Sequence, residues 1–426
     1  MSTTFLEKSQ SAGNRQTWTM SMWIKTSVNN DEQPLFSSAS NSDNQDLAYI
    51  EAGGNLRWWT YQSAAYVGQL RTSRVLRDAN AWYHLVFVFD STNATADDRM
   101  RIYINGVQET SFAARNNPAQ NSNTLWNGTL DQTIGLDASG GYVDKFDGSM
   151  SHIHFIDGTA YDATAFGQYD ANGVWTIKTS PSVTYGTNGF FILKDGNSVT
   201  DQSGNSNNFT VQASGTLTKT EDSPSNVFAV WNALDKHASS TLSNGNTKYT
   251  TSGTSQYEPA KCTLGFSAGK YYSEHQINSL STTACFIGIY GTSVSGQSQS
   301  EMDTLRFSYN VKNGEIIKNA SNLQTGLATF TTNDILGIEV DCDSGTLKFY
   351  KNGTQVGTTI TDSDISSTEW TFGTQPRLAT FSSNFGNGYF GTTAVASAGT
   401  NASGNGIFEY DVPTGYTALS TKGLNL

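Results

Sequence analysis

The sequence predicts an all-β protein made of two consecutive antiparallel β-sandwich domains. Hydrophobic residues make up 36% of the 426-residue chain and charged residues only 15%, so Gly, Ser, Thr and Asn supply most of the polarity. Forty glycines and 12% aromatic residues are typical of strands joined by tight turns. A chain of this length is too long for one core and suits two domains of about 200 residues each.

The same strand pattern occurs once in each half of the chain. Two alternating apolar strands are followed directly by an Asn-Gly pair. The two units comprise residues 82–90, residues 100–104 and Asn105-Gly106 in the first half, and residues 334–341, residues 347–351 and Asn352-Gly353 in the second. A type I′ turn needs positive φ at both central residues, which Asn and Gly tolerate. Two such units predict two similarly built sandwiches.

Further strands are legible, and a boundary lies between the two sets. The additional predicted strands are residues 17–24, 56–61 and 150–156 in the first half and residues 270–277 and 285–290 in the second. Residues 213–226 show no periodicity and have the composition of a loop. We therefore expect domains over 1–212 and 227–426, joined by a linker over 213–226.

Charge and cysteine content exclude several classes of protein. The formal net charge is −12, and no run of Lys or Arg offers a basic patch, so we expect no nucleic-acid partner. Cys262, Cys285 and Cys342 are too few and too irregular for a disulfide framework, and we expect buried free thiols. Residues 1–7 lack the features of a signal peptide, and no apolar stretch is long enough to span a bilayer. We therefore expect folding in a cytoplasm.

Several stretches of the first half carry a family resemblance. They are residues 11–18, 82–84, 101–106, 146–148 and 185–190, with residues 201–209 closing the module. Together they make residues 4 to about 210 similar to the laminin-G/pentraxin-like, or concanavalin A-like, jelly-roll sandwich domains of tailed bacteriophage proteins, particularly those of marine phages.

The second half carries another resemblance. The matching stretches are residues 269–274, 287–289, 334–337, 345–353, 384–386 and 412–420. Residues 227–426 thereby resemble a SPRY domain. Both families are binding scaffolds, so the resemblance implies a binder rather than an enzyme. The phage setting implies a virion component: a fibre, a tail protein or a capsid-decorating protein.

The resemblance also implies partners for such a component. We expect other virion proteins and host surface glycans, with the chain located in the virion. Virion proteins of this kind commonly form homo-oligomers, trimers among them, and we expect a homo-oligomer here. Two alternatives remain open at this stage. One is a bacterial carbohydrate-binding surface protein, against which the missing export signal counts, and the other is a concanavalin A-like glycosidase.

Calcium is the metal that the first resemblance implies. Related domains hold Ca²⁺ in rim loops through carboxylate and carbonyl oxygens. The candidate ligands are Asp131, Asp137, Asp144 and Asp147. The opposing interpretation is that Asp147-Gly148 is an ordinary turn pair and that acidic loops are solvated without an ion, since no contiguous calcium-loop motif is present.

Aromatic residues on one predicted strand are the candidate ligand-binding residues. Trp58 alternates with Trp59 and Tyr61, so the two sets lie on opposite faces of the strand. We expect one face in the core, while Trp59 and Tyr61 could stack on a sugar ring.

Two further clusters are interpreted as structural. Glu339, Asp341 and Asp343 alternate as the carboxylates of a glycosidase do, but Gly345 predicts a turn that takes Asp343 off the strand. His152 and His154 lack the further ligands that a zinc site needs, and we expect a packed pair.

Overall fold

The computed structural model describes residues 4–27, 31–139, 145–194, 198–212, 217–253, 256–280 and 284–426. It is nearly all β, with 47% strand and 4% helix, which confirms the predicted fold class. The chain divides into two compact units, Met1–Lys219 and Thr220–Leu426. This division falls inside the predicted linker over 213–226, whereas the predicted domain limits themselves stay a prediction. No helix among the described residues is long and apolar enough to cross a membrane.

The first domain contains sixteen strands among its described residues. They are β1 Phe5–Lys8, β2 Thr17–Thr26, β3 Gln33–Asn41, β4 Asn44–Ile50, β5 Asn55–Gln62, β6 Ala65–Val75, β7 Tyr83–Asp90, β8 Met100–Ile104, β9 Val107–Gln108, β10 Phe112–Asn116, β11 Gln132–Ile134, β12 Gly148–Asp157, β13 Gly167–Tyr169, β14 Trp175–Ile177, β15 Phe190–Ile192 and β16 Thr210–Gln212, with 3₁₀ turns at Ala96–Asp98 and Ala163–Ala165.

These strands form two large sheets that face each other. The eight-stranded sheet has the order β10-β6-β5-β4-β3-β11-β1-β16, and the six-stranded sheet has the order β15-β12-β2-β7-β8-β9. Trp18 and Trp58 meet in the core between them, with ring centroids 5.5 Å apart. Because side chains alternate along a strand, half of each strand's residues fill this core. The other half lie on an outer face, which positions the candidate site described below.

The outer face of the six-stranded sheet is covered by the chain that follows β12. Trp175 stacks on His84 at 5.9 Å and donates from Nε1 to His84 Nδ1 over 3.0 Å. Burial lowers the pKa of His84 to about 3. This histidine is therefore neutral at physiological pH and serves as a packed, hydrogen-bonded core residue.

The second domain contains seventeen strands and two short helices among its described residues. The strands are β17 Trp231–Lys236, β18 Thr241–Ser243, β19 Lys248–Thr250, β20 Ala260–Cys262, β21 Lys270–Leu280, β22 Cys285–Gly291, β23 Arg306–Asn310, β24 Glu315–Lys318, β25 Ser321–Gln324, β26 Ile335–Asp341, β27 Thr346–Lys351, β28 Thr354–Thr361, β29 Trp370–Pro376, β30 Ala379–Asn384, β31 Tyr389–Phe390, β32 Thr393–Ala394 and β33 Thr417–Ala418; the helices are α1 Gln299–Met302 and α2 Ser363–Ser367, and a 3₁₀ turn spans Gly423–Asn425.

These strands again form two facing sheets. One has the order β17-β20-β29-β22-β23-β24-β25, and the other has the order β18-β19-β30-β21-β26-β27-β28. Strand β33 pairs with β21 in parallel, whereas β26 and β30 pair with β21 in antiparallel orientation. The core contains Trp231 and Trp370, both fully buried. Cys262, Cys285 and Cys342 are buried free thiols, as predicted.

Both predicted Asn-Gly turns are present. Asn105 and Gly106 have φ of 49° and 81° between β8 and β9, and Asn352 and Gly353 have φ of 48° and 78° between β27 and β28. Positive φ at both central positions is the type I′ geometry that matches the twist of a hairpin. The same local rule therefore closes a hairpin in each domain.

Candidate functional site

Strand β5 sends its two tryptophans to opposite faces of the eight-stranded sheet. Trp58 is 1% exposed and belongs to the core. Trp59 and Tyr61 lie on the outer face, where Trp59 is paired across to Leu47 and Tyr61 to Gln45. The prediction that one face of this strand lies in the core is therefore confirmed, and the other face, which was left open, is the outer one.

A bulge brings a further tyrosine to this outer face. Thr60 pairs with Gly68, but Tyr61 pairs with Tyr66, so β6 contains one extra residue at this point. Bulges re-aim side chains and are common beside functional sites. Tyr66 consequently lies edge-on to Tyr61, with ring centroids 4.9 Å apart and an interplanar angle of 63°.

The turn next to these tyrosines has unusual residues. Ser63 and Ala64, which join β5 to β6, have φ of 50° and 60°. This is the conformation of a type I′ turn, but Asn and Gly are absent. Non-glycine residues in this region carry a strain of roughly 1–3 kcal/mol each, and such residues cluster at functional sites. Ser63 N donates to Asn44 Oδ1 over 3.1 Å and Ala64 N to Asp43 O over 3.2 Å, which holds the turn in place.

Arg57 organises the aromatic residues of this face. Its Nη1 donates to the Tyr49 hydroxyl over 3.2 Å and its Nη2 to the Tyr66 hydroxyl over 2.9 Å. Its Cζ lies 4.5 Å from the centroid of the Trp59 ring, within range of a cation–π interaction. We call Tyr49, Arg57, Trp59, Tyr61 and Tyr66 the aromatic patch.

Neighbouring residues complete the charge balance of the aromatic patch. Glu51 lies 3.6 Å from Arg57 and 2.6 Å from Arg71. Burial raises the pKa of Tyr49 to about 12, so this tyrosine keeps its proton. The patch therefore presents aromatic faces and neutral hydroxyl groups beside the Arg57 guanidinium, whose positive charge is largely offset by Glu51.

Exposure decides which residues a ligand would contact. Tyr66 is 40% exposed, Tyr61 is half-buried and Trp59 is 9% exposed. A bound ring would rest on Tyr61 and Tyr66, with Trp59 supporting them from beneath. The buried Trp59 Nε1 has no hydrogen-bond partner among the described residues.

Sequence reasoning found only two members of the aromatic patch. Trp59 and Tyr61 share a face by simple alternation, whereas Tyr66 reaches it only through the bulge. Arg57 is on the same face by alternation. The signal that could have identified it was the Arg-x-Trp-x-Tyr spacing itself, which places a cation beside two aromatic rings.

The candidate calcium ligands do not form a cluster among the described residues. Asp131 accepts from Ser9 Oγ over 2.5 Å, and Asp137 accepts from Ser139 N and Oγ over 2.8 and 2.6 Å. Asp147 is partly buried, which raises its pKa. Asp144 lies outside the described residues. No group of three or more His, Cys, Asp or Glu side chains in the described part of the chain could hold a metal ion, so calcium stays a prediction.

The carboxylates of β26 are held by structural contacts. Glu339 is 2% exposed and accepts from Lys348 Nζ over 2.6 Å and from the Tyr350 hydroxyl. Asp341 pairs with Lys270 over 3.0 Å and accepts from the backbone N–H groups of the following turn. Gly345 has a φ of 66°, so Asp343 lies in a turn, as predicted.

The two predicted histidines are a packed pair. A bulge interrupts β12 between Ser151 and His154, and His152 has a φ of 47°. Both rings nevertheless contact Phe191, at centroid distances of 5.6 and 3.9 Å. Burial lowers the pKa of His154 well below its ordinary value, which suits a neutral packed side chain.

Two families of known proteins match separate parts of the chain. Residues 4–164 match the concanavalin A-like lectin/glucanases superfamily. Residues 270–373 match the SPRY domain. No curated protein matches the sequence at a significant level.

Solved structures resemble parts of the chain at low identity. The SPRY domain of human HERC1 is 15% identical, with 36% of this chain and 96% of that chain covered and a TM-score of 0.32. The TRIM65 PSpry domain is 14% identical, with 36% and 90% covered and a TM-score of 0.31. A heptameric SAP-like pentraxin from Limulus polyphemus is 18% identical, with 37% and 71% covered and a TM-score of 0.28.

Proposed function

Because the chain carries a concanavalin A-like domain followed by a SPRY domain, both of the binding type, we propose that it is a non-enzymatic recognition protein of a tailed bacteriophage virion. In this proposal it is a fibre, tail or capsid-decorating component that binds host surface glycans. The glycan part depends on one observation, which is the exposed Tyr61–Tyr66 pair of the aromatic patch.

The chemistry of the aromatic patch suits a sugar ring. The C–H faces of a pyranose are apolar and pack against aromatic rings, while its hydroxyl groups both donate and accept hydrogen bonds. The hydroxyl group of the exposed Tyr66 already accepts from Arg57, so it can donate its own proton to a sugar oxygen. Glu51 offsets the positive charge of the arginines, which favours a neutral sugar over an anionic one.

The strained turn supports a binding role for the same face. Ser63 and Ala64 keep positive φ, although an Asn-Gly pair would form this hairpin without strain. Strain of this kind is retained where the surrounding structure fixes a functional geometry. Here the turn fixes the register that places Tyr66 opposite Tyr61.

The virion part of the proposal rests on the resemblance of the first domain to phage sandwich domains and on the acidic surface implied by the net charge of −12. Mass spectrometry of purified phage particles is the test. The proposal expects the chain at many copies per particle, assembled with other virion proteins as a homo-oligomer. Finding it only in the envelope of uninfected bacteria would instead favour the bacterial surface protein, and its absence from particles would contradict the virion assignment.

A glycan array probed with the full-length protein tests the binding part. The proposal expects selective binding to neutral glycans, and no bound glycan would contradict it. The array is repeated with a chelator. Binding that survives chelation is independent of calcium, as recognition by the aromatic patch requires, whereas loss of binding supports the predicted calcium site with Asp131, Asp137, Asp144 and Asp147.

A further inference from the structure

A pocket opens on the outer face of the β22–β23–β29 sheet of the second domain. Its volume is about 230 Å³. Its lining includes Tyr257, Phe286, Asp303, Arg306, Ala320 and Gln375. None of them was singled out by the sequence, and the pocket belongs to a different domain from the aromatic patch.

Strand alternation explains the floor of the pocket. Cys285 and Ile287 point into the core, so Phe286 between them faces outward. Gln375 on β29 is the direct cross-strand partner of Phe286 and shares that face. The Phe286 ring therefore lines the pocket, and the Tyr257 ring lies beside it with centroids 5.6 Å apart.

Arg306 is a buried cation held in a fixed orientation. It is 5% exposed, and its Cζ lies 4.5 Å from the centroid of the Phe286 ring. Its guanidinium donates to Asn319 O over 2.8 Å and to Gln375 Oε1, pairs with Asp303 over 3.0 Å and hydrogen-bonds Tyr290. A guanidinium has five N–H donors, so these four partners account for all but one of them.

Asp303 supplies the matching acceptor. Its Oδ1 accepts from the Arg306 guanidinium over 3.0 Å and from the Gln375 amide over 3.2 Å. Among the described residues, its Oδ2 has only a long contact of 3.5 Å with Gln299 Nε2, and the side chain is 30% exposed. The pocket lining thus combines the Arg306 guanidinium, with one N–H to spare, and the Asp303 carboxylate beside two aromatic rings.

Charge and size restrict the ligand class. Arg306 and Asp303 cancel each other's charge, so an anion such as a phosphate or carboxylate gains no net attraction. The volume is below the roughly 300–1,000 Å³ of sites for drug-sized ligands, which suits one ring rather than a chain of rings. A primary amide could also pair with Arg306 and Asp303, but it has no apolar face to cover Tyr257 and Phe286.

We propose that this pocket is a second carbohydrate-binding site, which takes a single neutral pyranose residue. Two neighbouring hydroxyl groups accept from Arg306 and donate to Asp303, and the C–H face of the ring packs on Phe286 and Tyr257. This proposal does not depend on the aromatic patch, because the two sites lie in separate domains.

The test uses the full-length protein and saturation-transfer difference NMR. The probes are the methyl glycosides of glucose, galactose, mannose and N-acetylglucosamine. All measurements are made with Tyr61→Ala and Tyr66→Ala in place, so that the aromatic patch contributes no signal. The proposal expects at least one methyl glycoside to give signals in this background, and a complete lack of signals would overturn it.

Two added substitutions locate the binding. Ala320 is exposed at the rim, so Ala320→Trp fills the pocket without removing any of its contacts and should reduce the signals at least fivefold. Ala402→Trp, at an exposed position in the turn closed by Gly404 N and Asn401 O, is the matched control and should leave them unchanged. Asp303→Asn should weaken binding while keeping the shape of the pocket.

Thermal melting confirms that each variant is folded. Equal signals with and without Ala320→Trp would overturn the proposal. So would binding of N-acetyl-asparagine amide in place of the sugars, since that would identify the pocket as a peptide site. A glycan array that fails for the parent while these signals persist would contradict the proposed function of the first domain and leave this site supported.

Discussion

Tyr66 lies directly opposite Tyr61 across the β5–β6 hairpin, with ring centroids 4.9 Å apart. Leu70, four residues later on β6, is fully buried in the core. Strict alternation from Leu70 would turn Tyr66 toward the core as well. The bulge between them reverses the side of Tyr66 and creates the exposed tyrosine pair.

Arg57 is a positioning residue for that pair, and its replacement should reveal this role. Arg57→Lys keeps the charge but loses the planar fork that donates to Tyr49 and Tyr66. We expect glycan affinity to fall by about fivefold or more, since about 1 kcal/mol accompanies the loss of one such hydrogen bond. Isothermal titration calorimetry measures the glycan affinity of both proteins.

Arg71→Lys is the matched control for Arg57→Lys. Arg71 pairs with Glu51, and no hydrogen bond joins it to a tyrosine hydroxyl of the aromatic patch among the described contacts. The glycan affinity of this variant should stay within about twofold of the parent, because Lys keeps the charge opposite Glu51 and this partly exposed ion pair contributes little. Equal losses in both variants would contradict a specific role of the Arg57 hydrogen bonds in orienting the tyrosines.

The backbone of the turn between β5 and β6 should be strained, and two substitutions should relieve the strain. Ser63→Asn combined with Ala64→Gly supplies the residues that a type I′ turn favours. We expect the free energy of unfolding to rise by about 1–2 kcal/mol, because Asn and Gly adopt positive φ with less strain than Ser and Ala. Urea denaturation measures the gain, and unchanged stability would show that the turn is unstrained.

Gly106 should be needed for more than its backbone conformation. A Cβ at this position would collide with the ring of Trp175, whereas a Cβ at Gly173 meets nothing within 4 Å. The two glycines have φ of 81° and 78°, so both Gly→Ala changes cost about 1 kcal/mol in backbone conformation. Gly106→Ala should be the more destabilising by at least about 1 kcal/mol, since overpacking adds to that cost. Similar melting temperatures would contradict this packing.

Glu274 should make stability depend on pH. It is fully buried and accepts from the backbone N–H groups of Glu409 and Tyr410, and burial raises its pKa to about 7. The folded state therefore holds this proton over a range in which the unfolded chain has released it. The stabilising contribution of Glu274 is fully present below about pH 4.5 and is lost as the pH rises toward 7.

Comparison of the parent with Glu274→Gln isolates this effect. Gln does not titrate, and the other carboxyl groups are common to both proteins. The stability of the parent relative to the variant should fall by about 3 kcal/mol between pH 4.5 and pH 8, from about 1.4 kcal/mol per pKa unit. A difference that is constant with pH would show that Glu274 titrates normally.

The sequence alone was sufficient for the fold class and for one part of the candidate site. Composition and the Asn-Gly pairs are local signals, so they predicted strands and both type I′ turns. Trp58 and Trp59 were assigned to opposite faces because alternation has a period of two. The position of Tyr66 on the outer face was not predicted. A bulge in β6 breaks the two-residue period there, and no local sequence signal marks the bulge.

The second-domain pocket was beyond sequence reasoning for a different reason. Arg306 and Asp303 are close in the chain, but Gln375 and Phe286 reach them only through the order of strands in the sheet. Strand order is set by long-range pairing, which no local pattern encodes. The candidate calcium ligands stay a prediction, because Asp144 lies outside the described residues and a resemblance does not fix where the side chains lie.

The most direct test of the central claim is the affinity of the full-length protein for its best array glycan, measured by calorimetry on three proteins. The account predicts that Tyr61→Ala with Tyr66→Ala weakens binding at least tenfold. Tyr169→Ala, which removes a tyrosine that is 54% exposed outside the aromatic patch, should bind as the parent does. Unchanged affinity in the double variant would contradict the assignment of glycan binding to this face.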